Sequence, residues 1–154
     1  MQPDQFSVKR SIAIQAPPEK IAALLTDFHR WPDWSPWEHL DPTMKRGFSG
    51  ASAGQGAVYT WSGNKDAGAG RMEIVEAASA AKTVIKLDFI APFESHNTTV
   101  FKLLPSGAAT TVEWDMSGPM PFVSKIMSVF FSMDKLIGKD FERGLRKLKA
   151  AAEK

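Results

Sequence analysis

Apolar positions alternate with polar ones near the start of the chain, with Val8, Ile12 and Ile14 set against Lys9, Ser11 and Ala13. A period of two reads as a strand with one buried face. Pro17 and Pro18 follow, then Glu19 and the helically spaced Ile21, Leu24, Leu25 and Phe28. Proline suits a first helical turn, where its missing N–H leaves no bond unmade, and Glu19 puts negative charge at the positive end of the helix dipole. This helix is predicted to end between Asp27 and Arg30, because Pro32 disfavours α geometry at Trp31.

A run of period-two segments comes next. Met44 to Ser49 is a weak strand signal, and Ala57 to Ser62 a better one with Tyr59 and Trp61 on one face. After turn residues Gly63 to Gly68, Arg71 to Glu76 puts Met72 and Ile74 on one face. Thr83 to Ile90 places Ile85, Leu87 and Phe89 opposite Lys86 and Asp88, the pattern of a strand wet on one side. His96 to Leu104 and Thr110 to Met116 are joined by Pro105, Ser106 and Gly107, and Val112, Trp114 and Met116 share a face. Connections this short imply an antiparallel sheet.

Gly118, Pro119 and Pro121 then break the pattern, and one long helix is predicted from about Val123 to Ala151. Its stripe is Ile126, Phe130, Met133, Ile137, Phe141, Leu145 and Leu148, spaced at threes and fours. Lys139, Arg143, Arg146, Lys147 and Lys149 gather in the second half, where cations oppose the dipole's negative end, and Glu142 and Arg146 are spaced as an i,i+4 pair. Each strand and the helix thus presents one apolar face, and laying the helix across the sheet buries them together. At roughly 1.5–3 kcal/mol per large apolar side chain buried, this outweighs local propensity. The fold class is α+β, and the whole chain, 1–154, reads as one domain.

Composition changes the picture mainly by exclusion. Cysteine is absent, which removes disulfides, thiolate metal sites and Cys nucleophiles. Nineteen basic residues against 17 acidic ones leave a net charge of +2, too little to argue for nucleic acid. No segment approaches the roughly 20 apolar residues of a membrane span, and the first ten residues are polar and mixed in charge. The expectation is a cytoplasmic protein without stable membrane insertion, a monomer or a homodimer.

The ordered motifs resemble the START-like superfamily, in particular its polyketide cyclase/dehydrase and lipid-transport (SRPBCC) family. Arg10-Ser11-Ile12 through Ala16-Pro17-Pro18-Glu19-Lys20-Ile21 to Leu25-Thr26-Asp27 resembles the family's first strand and helix. Trp31-Pro32-Asp33-Trp34-Ser35-Pro36-Trp37-Glu38 resembles its Trp/Pro-rich segment. The Gly56 strand, the Gly70-Arg71-Met72 strand, the hairpin from Gly107 to Thr111-Val112-Glu113-Trp114 and the closing run from Met133-Asp134-Lys135 to Gly144-Leu145 follow in the family's order. The resemblance implies a helix-grip fold: a seven-stranded curved antiparallel sheet wrapped around a long C-terminal helix, with two short helices after strand one. It also implies a cavity between sheet and helix for a small hydrophobic molecule, lipid-like or polyketide-like. The ligand-binding candidates are then Trp34, Tyr59 and Trp61; Met72 and Ile74; Ile85, Leu87 and Phe89; Phe101 and Trp114; and, on the helix, Phe130, Met133 and Ile137. Carrier or sensor is the leading function, with a cyclase, dehydratase or hydrolase-type enzyme as the alternative and an interaction module as a third. No cofactor is implied, and no catalytic residue is carried over.

Candidate chemistry is sparse. His29, Asp33, Glu38 and His39 could be imagined around a metal, but Pro32 and Pro36 interrupt any helix that would align them, so no metal site is expected. His96 has the opposite parity to Phe101 and Leu103 and should face outward, while Asn97 shares theirs. Glu113 and Asp115 alternate with Val112 and Trp114 and should face solvent. Arg10 has inward parity; either it meets an anionic ligand head or, as favoured here, it snorkels to water at an edge. Ser35 stands in Trp-Ser-Pro rather than a nucleophile elbow, and the Gly54/Gly56 and Gly68/Gly70 pairs precede strands rather than helices, so they read as turns. Trp31, Trp34 and Trp37 form either an aromatic lip or ordinary packing of the short helices onto the sheet. Residues Pro119 to Val123 are either a gate, a membrane-touching tip or packing under the sheet's rim, and the basic end of the last helix is a solvated face.

Overall fold

The computed structural model describes residues 5–37, 43–64, 68–91, 94–119 and 127–154. The chain runs β1 (Gln5–Ile14), α1 (Pro18–Leu25), a 3₁₀ helix (Phe28–Asp33), β2 (Lys45–Gly50), β3 (Ala57–Ser62), β4 (Ala69–Ser79), β5 (Lys82–Ala91), β6 (Ser95–Ser106), β7 (Ala109–Pro119) and α2 (Met127–Ala152). The seven strands form one sheet in the order β1-β7-β6-β5-β4-β3-β2. Every neighbouring pair is antiparallel. Strands β2 to β7 make a meander, and β1 closes onto β7 with Val8 opposite Met116, Arg10 opposite Trp114 and Ile12 opposite Val112. Register shifts in the β4–β5 ladder between Ile74 and Glu76 bend the sheet locally and strengthen its twist.

The alternation read from the sequence is the alternation observed. Ile74, Ile85, Phe101, Leu103, Val112 and Trp114 are buried on the inner face, and Phe141, Leu145 and Leu148 of α2 are buried against it. Phe141 stacks on Trp114 with ring centroids 3.9 Å apart and planes 4° off parallel. Helix α2 reaches this depth because it carries glycine where the sheet comes close: a β-carbon at Gly144 would lie 3.1 Å from the Trp114 ring and 2.8 Å from Pro36 Cδ. At Gly138 the Arg10 guanidinium occupies the space a β-carbon would need. The far end of α2 is tied to β1 and the chain after it, with Lys149 donating to the Ala13 carbonyl at 3.3 Å and the Gln15 N–H donating to Glu153 at 2.8 Å.

Two local readings, the end of α1 and the partner of Glu142, need correction, and two others are made precise. Helix α1 stops at Leu25, earlier than the proline rule requires, and Pro32 sits inside the 3₁₀ helix rather than after it. The cause is capping: Thr26 N–H and hydroxyl both return to the Ala22 carbonyl, while the indole N–H groups of Trp34 and Trp31 donate to the Leu24 and Leu25 carbonyls at 3.0 Å each. The last carbonyls of α1 thereby find partners without another helical turn. Trp31 and Trp34 are buried core, so the lip reading gives way to packing; Trp37 is half-buried and donates to Asp140 of α2. Glu142 pairs with Arg10 at 3.0 Å across the β1–α2 contact instead of with Arg146 one turn on. Glu113 and Asp115 lie on the outer face as predicted but are half-buried, because β1 and β6 flank them. Glu38, His39 and residues 120–126, which hold most of the suggested gate segment, lie outside the described residues.

Candidate functional site

Alternate side chains of β3 to β7 point toward α2. Along each strand the sheet has two ends, one where β6 begins (Asn97) and one toward Leu103. The register aligns Leu87 with Asn97 and Ile85 with Thr99, Met72 with Leu87, and Thr99 with Met116. Helix α2 is pinned at the Leu103 end, through Gly144, Lys149 and Glu153, and its first half extends toward the Asn97 end.

Burial changes along this face. At the Leu103 end Ile74, Ile85, Phe101 and Val112 are 0% exposed. On the same rung as Ile74 and Ile85, Thr99 and Met116 are 5% exposed; one rung toward the Asn97 end Met72 is 9%, Leu87 7% and Asn97 5% exposed, while Tyr59 of that rung is 1% exposed. Trp61 and Phe89, at the outermost rungs, are half-buried although both are aromatic and face inward. The inner face is thus fully covered around Ile85 and Phe101 and becomes partly exposed at Trp61 and Phe89.

The Asn97 end of this face carries two partly exposed aromatic rings and one inward amide. Trp61 lies edge-on to Phe89 at 5.7 Å and rests on Gly70, where a β-carbon would come within 2.5 Å of the indole and of the Asp88 carbonyl. Glycine at 70 is what lets the ring lie flat across β4. The amide is Asn97, which faces inward beside Leu87 and shares hydrogen bonds with Ser95, whose Oγ lies 3.2 Å from Nδ2 and 3.5 Å from Oδ1. Gly118 makes room for it, since a β-carbon there would overlap Asn97 Oδ1.

The binding candidates read from the sequence divide between these two zones. Met72, Leu87, Trp61 and Phe89 fall toward the Asn97 end, the last two partly exposed. Trp34, Tyr59, Ile74, Ile85, Phe101 and Trp114 are in the sealed part; Trp34 meets Phe101 at 5.9 Å and Trp114 at 5.5 Å, and Tyr59 meets Phe28 at 5.6 Å. Ile137 is half-buried on α2. Phe130 and Met133 stand in α2, and their side chains lie outside what is described. Asn97 and Thr99, buried on the inner face, are polar positions that the sequence reading did not include among its candidates. Their signal was the parity Asn97 shares with Phe101, which puts an amide on a face otherwise read as apolar.

Charge on this face is confined to the edge strands, with Arg46 of β2 exposed opposite Trp61. Arg10 has inward parity on edge strand β1, and it is engaged by Glu142 and by the Lys9 carbonyl. His96 faces outward, held by Asp88 at 2.7 Å and Glu94 at 3.3 Å; hydrogen bonds to Asp88 first, then Glu94, raise it above its ordinary value of 6.5. Glu153, at the end of α2, is lowered below 4.5 by the Gln15 N–H and then Lys149. Among the described residues no group of three or more His, Cys, Asp or Glu is placed to hold a metal ion. Among them, too, no helix is long and apolar enough to cross a membrane.

A family model described as polyketide cyclase/dehydrase and lipid transport matches residues 5–153. No curated protein sequence matches the chain. Among solved structures, protein CV1439 from Chromobacterium violaceum superposes with a TM-score of 0.65 at 14% identity, over 99% of both chains. A protein from Thermobifida fusca gives 0.67 at 19% identity, over 93% of this chain and 90% of the other. StfQ, a di-domain ARO/CYC of the steffimycin biosynthetic pathway, gives 0.73 at 13% identity, over 98% of this chain and 52% of its own. At these identities the likeness is one of fold.

Proposed function

Because the chain belongs to the polyketide cyclase/dehydrase and lipid-transport family, we propose that it binds a small hydrophobic molecule, lipid-like or polyketide-like, between the inner sheet face and the first half of α2, as a carrier or sensor. The observation that carries this reading is the burial gradient from Ile85 and Phe101 to Leu87, Met72, Trp61 and Phe89. Inward aromatic and aliphatic groups that keep accessible surface are covered when an apolar molecule docks, at about 25 cal/mol per Å² of area removed from water. StfQ, a di-domain ARO/CYC of the steffimycin biosynthetic pathway, and DynU16, a protein of the dynemicin biosynthetic locus, share the fold, and with the family this favours a polyketide-like aromatic among the guests.

Binding is preferred to catalysis for a specific reason. A cyclase or dehydratase moves protons, which takes an acid or base within reach of the substrate. The described inward residues of β4 to β7 at the Asn97 end are apolar, amide or hydroxyl, Arg46 of β2 is a cation rather than a proton-moving group, and His96 and Glu153, whose titration is displaced, lie on the outer face and at the opposite end of α2. The chain is read as one domain acting in the cytoplasm, as a monomer or homodimer.

The test is uptake of the neutral dye N-phenyl-1-naphthylamine, together with native mass spectrometry of the purified protein. Wild type should enhance the dye's emission saturably, and Leu87→Trp, which fills the proposed site, should abolish this while keeping wild-type far-ultraviolet circular dichroism. Dye uptake equal in wild type and Leu87→Trp, or absent from both, refutes the reading.

A further inference from the structure

Asn97 is the residue that an apolar-pocket account leaves unexplained. It is 5% exposed and lies on the inner face, next to Leu87 and two residues from Thr99, itself 5% exposed. A primary amide has two N–H donors and a carbonyl with two lone pairs. Ser95 Oγ, near both ends of the amide at 3.2 and 3.5 Å, has one proton and serves one of them fully at a time. Burying an amide with open valences is unfavourable, so an apolar residue would make the more stable sheet. The surroundings are nevertheless built around it: Gly118 lacks the β-carbon that would displace Oδ1.

We infer that Asn97, held by Ser95 and flanked by Thr99, is the polar recognition point of the recess, and that the guest is an uncharged apolar molecule carrying a hydrogen-bonding oxygen, a phenol, alcohol or ketone, rather than an anion. This deepens the reading above and rests on it. The charge inventory decides between neutral and charged heads. The inward-parity cations stand on the two edge strands: Arg46 of β2, opposite Trp61, is exposed and four strands away from Asn97, and Arg10 of β1 is committed to Glu142 at 3.0 Å. An anion placed beside Asn97 would lose its hydration without gaining a cation, whereas a phenol or ketone regains in Asn97 the hydrogen bond it gave up to water. An amide serves either role, donating to a ketone oxygen or accepting from a phenol.

The test uses the full chain and matched probes in equilibrium dialysis: naphthalene, 2-naphthol and 2-naphthoate. Wild type should bind 2-naphthol about 2–10-fold more tightly than naphthalene, the range expected of one net hydrogen bond. 2-Naphthoate should bind at least about 10-fold more weakly than 2-naphthol. In Asn97→Leu, which keeps the same branched heavy-atom skeleton, the 2-naphthol advantage should vanish while naphthalene binding persists; Thr99→Val should reduce it in part. The wild-type ranking stands without either variant, so a misfolded Asn97→Leu does not rescue the idea. Equal binding of 2-naphthol and naphthalene to wild type, tightest binding of 2-naphthoate, or an advantage that survives Asn97→Leu overturns the inference while leaving the recess intact. Failure of all three probes to bind overturns both.

Discussion

Replacing Phe141 with alanine tests how α2 is locked to the sheet. Phe141 is fully buried, stacks on Trp114 at 3.9 Å with planes 4° apart, and touches Trp37 edge-on at 6.0 Å. Removing a buried aromatic side chain of this kind costs about 3–5 kcal/mol, through lost transfer energy and the cavity left behind. The parallel stack adds to the loss, since aromatic pairs are worth about 0.5–1.5 kcal/mol beyond their buried area. Against a total stability of about 5–15 kcal/mol this is a large fraction. At about 2–4 °C per kcal/mol for a chain of this size, Tm should fall by about 6–20 °C. Phe141→Leu, which keeps most of the volume and loses the stack, should cost about 1–1.5 kcal/mol. Leu104→Ala, at an outer position 49% exposed, should stay within about 0.5 kcal/mol. Urea unfolding followed by tryptophan emission measures all three, and unchanged m-values keep the comparison valid. A loss below about 1 kcal/mol in Phe141→Ala would mean that α2 does not seat on Trp114, and the geometry argued from Gly144 would fall with it.

Three further outcomes follow from particular contacts. The His96 imidazole should titrate above 6.5 by NMR, and Asp88→Asn should bring it down; because the folded-state value is raised, the Asp88–His96–Glu94 contribution is full below the unfolded value and is lost as pH rises through the folded one, so wild type and Asp88→Asn should converge in stability at high pH. Glu153 has the opposite sign: its folded-state value is lowered, so its contribution is present above 4.5 and disappears as pH falls through the folded value, and the gap between wild type and Glu153→Gln in thermal unfolding should close in acid. Gly70→Ala should tilt Trp61 off β4, since the new methyl would lie 2.5 Å from the indole; the tryptophan emission should shift and N-phenyl-1-naphthylamine affinity fall, and unchanged spectra and affinity would contradict the packing described for Trp61 and Phe89.

Much of the fold was legible because burial imposes a period. Ile85, Leu87 and Phe89 could face one way only if their segment was a strand, and Phe141, Leu145 and Leu148 only if theirs was a helix. What escaped is what depends on distant partners. The Arg10–Glu142 pair joins residues 132 apart, and a local rule offered Arg146 instead. Helix α1 ends early because indoles from the following segment reach back to Leu24 and Leu25, and no propensity of α1 itself encodes that. In the site, parity placed Met72 and Leu87 on the right face but could not separate them from the sealed Ile74 and Ile85, because depth along a strand has no sequence period. Asn97 was legible by the same parity and passed over because a single amide does not alter an apolar pattern.

Mapping backbone and methyl chemical shifts during titration with 2-naphthol tests the location of the guest most directly. Shifts concentrated at Met72, Leu87, Asn97, Thr99 and Met116, with Val112, Leu145 and Leu148 unmoved, are the predicted result. Shifts confined to the outer face, or centred on the sealed end around Leu103 and Leu148, would contradict it.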